Sequence, residues 1–574
     1  MGEWELQSKL RRDSLSLSLE EYRDLWQNGL RPGEVTPLGY PGWPEVGIAI
    51  VGDFAGIQSF VLRPVPGAGG AAKRLRSRSF RVSAYTELVA RWCRGQLSAA
   101  QPRILYSAGG RFLIGASPIP GWRDLLRNMQ KQVDDWAWQS FQGELVFHLA
   151  GAEFSSAKIP RAELEAALEA RRNQPLAKTL WSNGKWNSSL FFHPALPAEA
   201  KCEACGMTQG VTRNSDGEDI CDACSADEQR GFDLARATFA RISNQDAGDL
   251  TALGTSLHLH QDRKGYGDDT WLSFGDRAPG AEPWYLLRHL PRDSNGNPLD
   301  FEQIAEHAAG SRKWLGYLRI DVDHAGHKFR HLEGDPARTW ALSHLLHTFF
   351  AKEANDLLDG PRYQNIYAVY GGGDDLFVIG PWTDVLDYAE TLRSMLTDVV
   401  GDALTFSAGV ALAKPREHIL SQAEFAHEQL DHAKNQLSYG RQCGRDQISA
   451  LGAIADWKTL SGLLSTAKQV TKWVSDHQIP SSFLHQALQF HHTWKRSREE
   501  WGDKQTFRSV RFRPLLYYQI QRNLRPGPAK DWAQTLLASP SQWPWVDFIV
   551  RYAMLAAGGG EKDGGQPCRI SKMQ

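Results

Sequence analysis

Tyr370-Gly371-Gly372-Gly373-Asp374-Asp375-Leu376-Phe377-Val378-Ile379-Gly380 is the stretch on which the reading of the fold turns. The apolar run Ile366 to Tyr370 leads into it, and Leu376 to Ile379 leads out. Short apolar runs broken by glycines spell a buried β-hairpin. Two adjacent carboxylates then sit at its tip. A tight turn explains the glycines but not two like charges side by side. Such carboxylates raise each other's pKa and repel unless a cation joins them. Mg²⁺ or Mn²⁺, hard cations that take oxygen ligands, would do so.

Upstream, Tyr317-Leu318-Arg319-Ile320-Asp321-Val322-Asp323-His324-Ala325-Gly326 reads as a strand that delivers a carboxylate at its end. A strand-end Asp321 with a hairpin-tip pair has the layout of a nucleotidyl-transferring palm domain. There, two metal ions about 3.5–4 Å apart hold the attacking and leaving oxygens. The stretch resembles the GGDD motif of palm-domain polymerases and the GGDEF motif of diguanylate cyclases. Asp323 reads either as a further ligand or as a cap on the turn after the strand.

A second hairpin pattern, Ile104-Leu105-Tyr106-Ser107-Ala108-Gly109-Gly110-Arg111-Phe112-Leu113-Ile114-Gly115, repeats the first. Each has a tyrosine, paired glycines and an apolar exit ending in glycine. Each follows an apolar strand carrying an aspartate, Asp53 in one case and Asp321 in the other, at a similar separation. This is an internal repeat of two palm-like domains. No register puts an acid into Tyr106 to Gly115, so the first palm is expected to hold no catalytic metal pair. Its Gly109 and Gly110 can approach a phosphate and Ser107 can hydrogen-bond one; an ordinary hairpin without a ligand fits equally. Between Phe54 and Thr86 no acid occurs, while Arg63, Lys73, Arg74, Arg76, Arg78 and Arg81 follow or precede a glycine-rich run from Pro64. This reads as the solvated face of a helix or as a phosphate-contacting patch.

Between the palms, Cys202-x₂-Cys205 and Cys221-x₂-Cys224 are separated by fifteen residues. This spacing implies a four-thiolate Zn²⁺ site, closed and therefore structural. Cys93, Cys443 and Cys568 lack ligand spacing. His344 and His347, three apart on a helix, have no evident third ligand and read as ordinary helix residues.

At 574 residues the chain is long enough for about three to five domains. A hydrophobic fraction of 42% with 28 prolines fits a globular protein. The net charge of −1 gives no global basic field, so nucleic acid would be met through local patches or partner subunits. No signal peptide and no membrane span are read, and a cytoplasmic location is expected. The expected division is a lead-in over 1–45, with a helix near Ser18 to Gln27, then a first palm over 46–195. A zinc-binding linker at 196–310 precedes the second palm at 311–450; a helical domain over 451–557 and a disordered tail at 558–574 follow. The fold class is α/β (α+β).

Specific resemblance comes from the order of features in the second palm. The strand with Asp321, the Gly-Gly-Asp-Asp hairpin, the Ser407-Ala408-Gly409 strand and a helix bearing Ala423-Glu424 and Ala433-Lys434 resemble the large subunit of type III CRISPR effector complexes. Asp53 with Gly56-Ile57-Gln58, Leu75 to Ser79, the four cysteines and Phe512 to Tyr518 add to the likeness. The resemblance implies ferredoxin-like palms and a synthase of cyclic oligoadenylate from ATP, acting when target RNA is bound. It implies Asp321, Asp374 and Asp375 on two Mg²⁺ or Mn²⁺ ions, with Lys434 and the glycines Gly372 and Gly373 toward the triphosphate. It implies CRISPR RNA, target RNA, and backbone and small subunits as partners. A silent scaffold of the same complex, or a stand-alone nucleotidyl cyclase, are the alternatives. Residues 1–45 hold no histidine and are too few for an HD-type nuclease domain, which fits subtype III-D and leads to the expectation that the chain does not cut single-stranded DNA.

Overall fold

The computed structural model describes residues 17–558, except 31–36, 38, 63–69, 183–184, 187–200, 207–211, 215–216, 245–246, 264–268, 276–277, 311, 333, 502–511 and 539. Arg63, most of the run from Pro64, Cys568 and nearly all of the tail named above lie outside them.

Both palms are antiparallel ββ-hairpin sheets laid out in the same order. In the first, β1 (Gly47–Ala55) is followed by helix α2 (Ala71–Gln96), strands β2 (Arg103–Ala108) and β3 (Arg111–Ala116), α3 (Trp122–Phe141), β4 (Val146–Phe154) and α4 (Arg161–Arg172). The sheet runs β2-β3-β1-β4. In the second, β5 (Leu315–Val322) precedes α6 (Pro336–Thr348), β6 (Tyr367–Gly372), β7 (Asp375–Pro381), α7 (Trp382–Val400), β8 (Phe406–Ala413) and α8 (Ile419–Asn435). Its sheet begins in the same order, β6-β7-β5-β8. Even the irregularities match. The hairpin register slips between Ile104 and Tyr106 in one palm and between Ala368 and Tyr370 in the other.

The second sheet is extended by β9 (Gln447–Ala450) and β10 (Ala453–Asp456), with β9 parallel to β8. A boundary at 450/451 therefore cuts a hairpin in half. These strands are four residues long, too short for a periodicity to register. Helix α6 runs on into a π turn at Phe349–Glu353 and a further helical turn at Ala354–Asp359.

The lead-in is not a loose polar arm. Helix α1 (Leu19–Asn28) starts with a capping box, Ser18 and Glu21 exchanging bonds. Its Tyr22 and Trp26 are buried. Tyr22 packs on Trp340 of α6 at 5.4 Å, and Arg338 Nε donates to the Trp26 carbonyl at 2.6 Å.

Between the palms, helix α5 (Asp222–Leu234) follows the cysteines, and strands from Phe239–Ser243 to Glu282–Pro283 make a five-stranded sheet. The basic run of α2 is explained here. Arg74, Arg76 and Arg78 are neither a solvated face nor a phosphate patch; they are at most 4% exposed, turned into α5. Asp227 accepts Ser77 Oγ at 2.8 Å, Arg78 Nε at 3.2 Å, Arg81 Nη1 at 3.1 Å and Arg230 Nη1 at 2.9 Å. Glu228 pairs with Arg74. Burial works against the Asp227 charge, but Arg81, Arg78 and Arg230 outweigh it and hold the carboxyl below its usual range.

The C-terminal helices are α9 (Trp457–Ser475), α10 (Ser481–Trp501), α11 (Phe512–Asn523), α12 (Pro528–Ala538) and α13 (Val546–Ala557). They close over the second palm, where Trp382 meets Tyr552 at 4.7 Å. Among the described residues no helix is long and apolar enough to cross a membrane.

Candidate active site

The two turn residues of the β6–β7 hairpin are Gly373 and Asp374, and Asp375 opens β7. Gly372 and Gly373 have φ of +142° and +68°, which an L side chain rarely adopts. A Cβ on Gly372 would lie 2.9 Å from His347 Nδ1. Register puts Asp321 of β5 directly opposite Asp375, with Ser407 on its other side. Val322 N donates to the Asp374 carbonyl at 2.9 Å, fixing the tip against the strand end. Three carboxylates are thus gathered by backbone pairing alone.

The side chains around them set the electrostatics. Burial, then the neighbouring Asp374 carboxylate, push Asp375 up to about 7. Asp374 is raised as well, by desolvation and then by Asp321. It keeps an exposed face, which screens it, so Asp375 is the more perturbed of the two. Beneath them Arg319, 5% exposed, donates to the Tyr370 hydroxyl and stacks over Tyr370 and Phe377. Its charge is the largest influence lowering Asp375. Lys434, at the end of α8, donates to Asp321 Oδ1 at 2.5 Å.

Asp323 is not part of this group. It is 3% exposed and accepts Ser407 Oγ at 2.7 Å, Thr405 Oγ1 at 2.8 Å and the Asp446 backbone N at 2.8 Å. Its oxygens tie the strand end to the loop before β9. His344 and His347 are half-buried, and the desolvation of their rings lowers both to about 4.

The first palm carries the same scaffold with the chemistry replaced. Phe54 N donates to the Gly110 carbonyl at 2.9 Å, the bond that Val322 makes to Asp374. Gly110 therefore stands where Asp374 does. Asp53 is opposite Arg111, as Asp321 is opposite Asp375. The second carboxylate position holds a guanidinium. Asp53 is occupied by Arg172 Nη2 at 2.6 Å, and Arg111 by Glu165. The absence of a metal-holding acid pair here follows from this substitution. Gly110 has its own reason to be glycine, because a Cβ would lie 2.4 Å from Ile57 Cδ1. Ser107 is half-buried on β2.

The two hairpins meet. A Cβ on Gly109 would sit 3.7 Å from the Gly372 carbonyl oxygen, and the Arg111 charge reaches Asp374. The palms also share apolar core, with Leu105 and Leu113 in one cluster with Leu318 and Ile320. A cleft of 810 Å³ elsewhere, between Arg91–Ser98 and the linker sheet, contains none of the hairpin residues.

The four cysteines converge. Their sulfurs lie within 4.8 Å of one another, with Cys205 and Cys221 3.9 Å apart. A tetrahedral Zn–S distance of about 2.3 Å would separate sulfurs by about 3.8 Å. Cys221 N and Arg78 Nη2 approach Cys202 and Cys224 Sγ at 3.2 and 3.6 Å, the donors that offset thiolate charge.

Sequence reasoning missed Arg319, Tyr370 and Arg111. Arg319 had a signal: it lies two residues before Asp321 on one strand and so shares its face. Arg111 becomes visible only once the register aligns it with Asp375.

The second palm matches the model of the Cas10/Cmr2 second palm domain over residues 314–448, and the first matches that of Csm1 subunit domain B over 48–181. Each palm is thus similar to a domain of the Cas10 and Csm1 proteins. The chain's relatives include CRISPR system single-strand-specific deoxyribonuclease Cas10/Csm1 (subtype III-A) of Thermococcus onnurineus, 26% identical over 71% of this chain and 55% of that protein. The Methanocaldococcus jannaschii protein of the same name is 25% identical over 69% and 57%. The chain thus spans a little over half the length of these curated relatives. They carry the subtype III-A name rather than III-D. Among solved structures, a Csm1-Csm4 cassette in complex with cA3 aligns with a TM-score of 0.65 and 19% identity, over 90% of this chain and 70% of that one. A Csm1-Csm4 cassette in complex with AMPPNP aligns equally well. At this identity the likeness establishes the fold.

Proposed function

We propose that this chain makes cyclic oligoadenylate from ATP at the Asp321, Asp374 and Asp375 site, as the large subunit of an RNA-guided type III effector complex with target RNA bound. The observation that carries this is the pairing of Asp321 with Asp375 beneath an Asp374 tip, faced by a glycine tip that has no acid of its own. Family relatives found as Csm1-Csm4 cassettes with cA3, cA4 and ATP support the substrate and product class.

The donor set is all carboxylate, with no thiolate or imidazole, and burial followed by mutual repulsion raises two of its members. That fits a hard divalent cation, Mg²⁺ or Mn²⁺, held by Asp321, Asp374 and Asp375. When bound, it supplies positive charge for an attacking 3′-hydroxyl and a departing pyrophosphate. The rest falls to the chain's own residues. The side-chain-free Gly372 and Gly373 let a triphosphate approach the backbone. Gly109, Gly110 and Ser107 offer the same from the opposite palm. Lys434, paired with Asp321, would offer its ammonium to the triphosphate. Arg319 from below favours the ionised form of Asp375 against the burial that raises it. In each step a 3′-oxygen bonds to an α-phosphorus, its proton passes to solvent, the bond to the bridging oxygen breaks, and pyrophosphate leaves. Ring closure repeats the step on the chain's own 5′ end.

CRISPR RNA, target RNA and the backbone and small subunits of the complex are the proposed partners, and zinc at the four cysteines is structural. Incubating the purified complex with ATP, Mg²⁺ and target RNA, then weighing the products by mass spectrometry, tests this reading. Cyclic 3′-linked oligoadenylate with pyrophosphate is expected. Unconverted ATP would support the silent scaffold, and a cyclic dinucleotide formed without RNA would support a stand-alone cyclase.

A further inference from the structure

Among the described residues, metal-capable side chains converge in two places: the four cysteines, and His491, His492 and Asp547 in the C-terminal helices. The second place plays no part in the function argued above. His491 and His492 lie on α10 and Asp547 on α13. His491 Nδ1 is 3.7 Å from Asp547 Oδ2, and His492 Nε2 is 3.9 Å from Asp547 Oδ1. The donor atoms of all three fall within 4.8 Å of one another.

Three observations point to a ligand. His491 is 3% exposed, and its Nδ1 has no hydrogen-bond partner although it is buried. An orphaned buried nitrogen is destabilising unless something fills its lone pair. Secondly, the Asp547 carboxylate is held from behind, with Arg551 Nε donating to Oδ1 at 2.7 Å. This is the outer-shell support that ligating carboxylates carry, although the Arg551 charge also sets a limit on cation affinity. Thirdly, the backbone closes on the carboxylate from the palm side. Gly452, in the β9–β10 turn with φ +82°, would place a Cβ 2.8 Å from Asp547 Oδ2.

We propose that His491, His492 and Asp547 bind a divalent first-row transition metal of the zinc class. Two imidazoles and one carboxylate suit such an ion and are a poor set for Mg²⁺ or Ca²⁺. Tetrahedral Zn²⁺ with ligands at about 2.0–2.1 Å needs donors about 3.4 Å apart, so donors that lie within 4.8 Å of one another here draw together on binding. Three protein ligands leave one position for water, and half-exposed His492 marks the side from which it enters. The ion clips α10 to α13 at the point where the helical domain touches the β9–β10 turn of the active palm.

The test uses the full chain, purified without chelator and titrated with Zn²⁺ alone. Elemental analysis is expected to give two equivalents in the wild type, and one both in His491→Ala/His492→Ala and in Cys202→Ser/Cys205→Ser. In case the buried His491 change unfolds the domain, His492→Ala and Asp547→Asn are assayed singly. Added Zn²⁺ raises the wild-type Tm by several degrees at the second equivalent and has no such effect on either single variant. Two equivalents retained in the histidine double variant, or a Zn²⁺-dependent Tm rise unchanged in His492→Ala, would overturn the proposal. So would a single equivalent in the wild type.

Discussion

Lys434 Nζ lies 2.5 Å from Asp321 Oδ1, so an ammonium already sits on one of the three carboxylates proposed to hold Mg²⁺ or Mn²⁺. It partly answers the repulsion that a cation must otherwise answer.

Replacing Lys434 with Met removes this internal cation. The cation-free protein then melts lower, and Mg²⁺ raises its Tm more than it raises that of the wild type. ATP turnover falls about 10- to 100-fold, the size of a lost charge-assisted hydrogen bond of about 1.5–3 kcal/mol. Thermal melts with and without Mg²⁺, alongside turnover, check this. Equal Mg²⁺ shifts in the two proteins would contradict the role given to Lys434.

The raised Asp375 makes stability depend on pH. Its folded value of about 7 lies above the unfolded carboxylate value of about 3.9. Between those values the folded chain holds the proton more tightly than the unfolded one. This stabilising contribution is present in full below about pH 4 and is lost as pH rises to about 7. In Mg²⁺-free buffer, Asp375→Asn therefore melts higher than the wild type at pH 8, and the two converge toward pH 4. Activity runs the other way, since metal binding needs the ionised form. Turnover climbs through about pH 7, and more Mg²⁺ moves the climb to lower pH. A Tm difference that does not vary with pH would remove the argument.

Asp227 faces Arg78, Arg81 and Arg230 in a buried space. Asp227→Asn leaves those charges uncompensated and costs about 3–5 kcal/mol. Arg127→Ala, which breaks the exposed pair with Asp124, costs less than about 1 kcal/mol. Urea midpoints at constant slope compare the two. Similar midpoints would mean that α2 and α5 are not held by this network.

What the sequence made legible was local or repeated. The Gly-Gly-Asp-Asp turn is legible because its glycines are needed for positive φ and its acids have no packing role. The doubled palm is legible because both hairpins keep a tyrosine, two glycines and a glycine exit. The basic run of α2 misled because its partner, Asp227, lies in another module some 150 residues away, and burial leaves no mark on a run of arginines. The β9–β10 hairpin and the docking of α1 were hidden for a similar reason: each is decided by the surface it packs against.

The most direct measurement is labelled-ATP turnover by the assembled complex carrying Asp374→Ala with Asp375→Ala, at saturating Mg²⁺ and target RNA. Neither side chain anchors the core, so the complex assembles and retains its RNA. Oligoadenylate and pyrophosphate formation fall to background. An assembled double variant that still makes oligoadenylate at the wild-type rate would contradict the account.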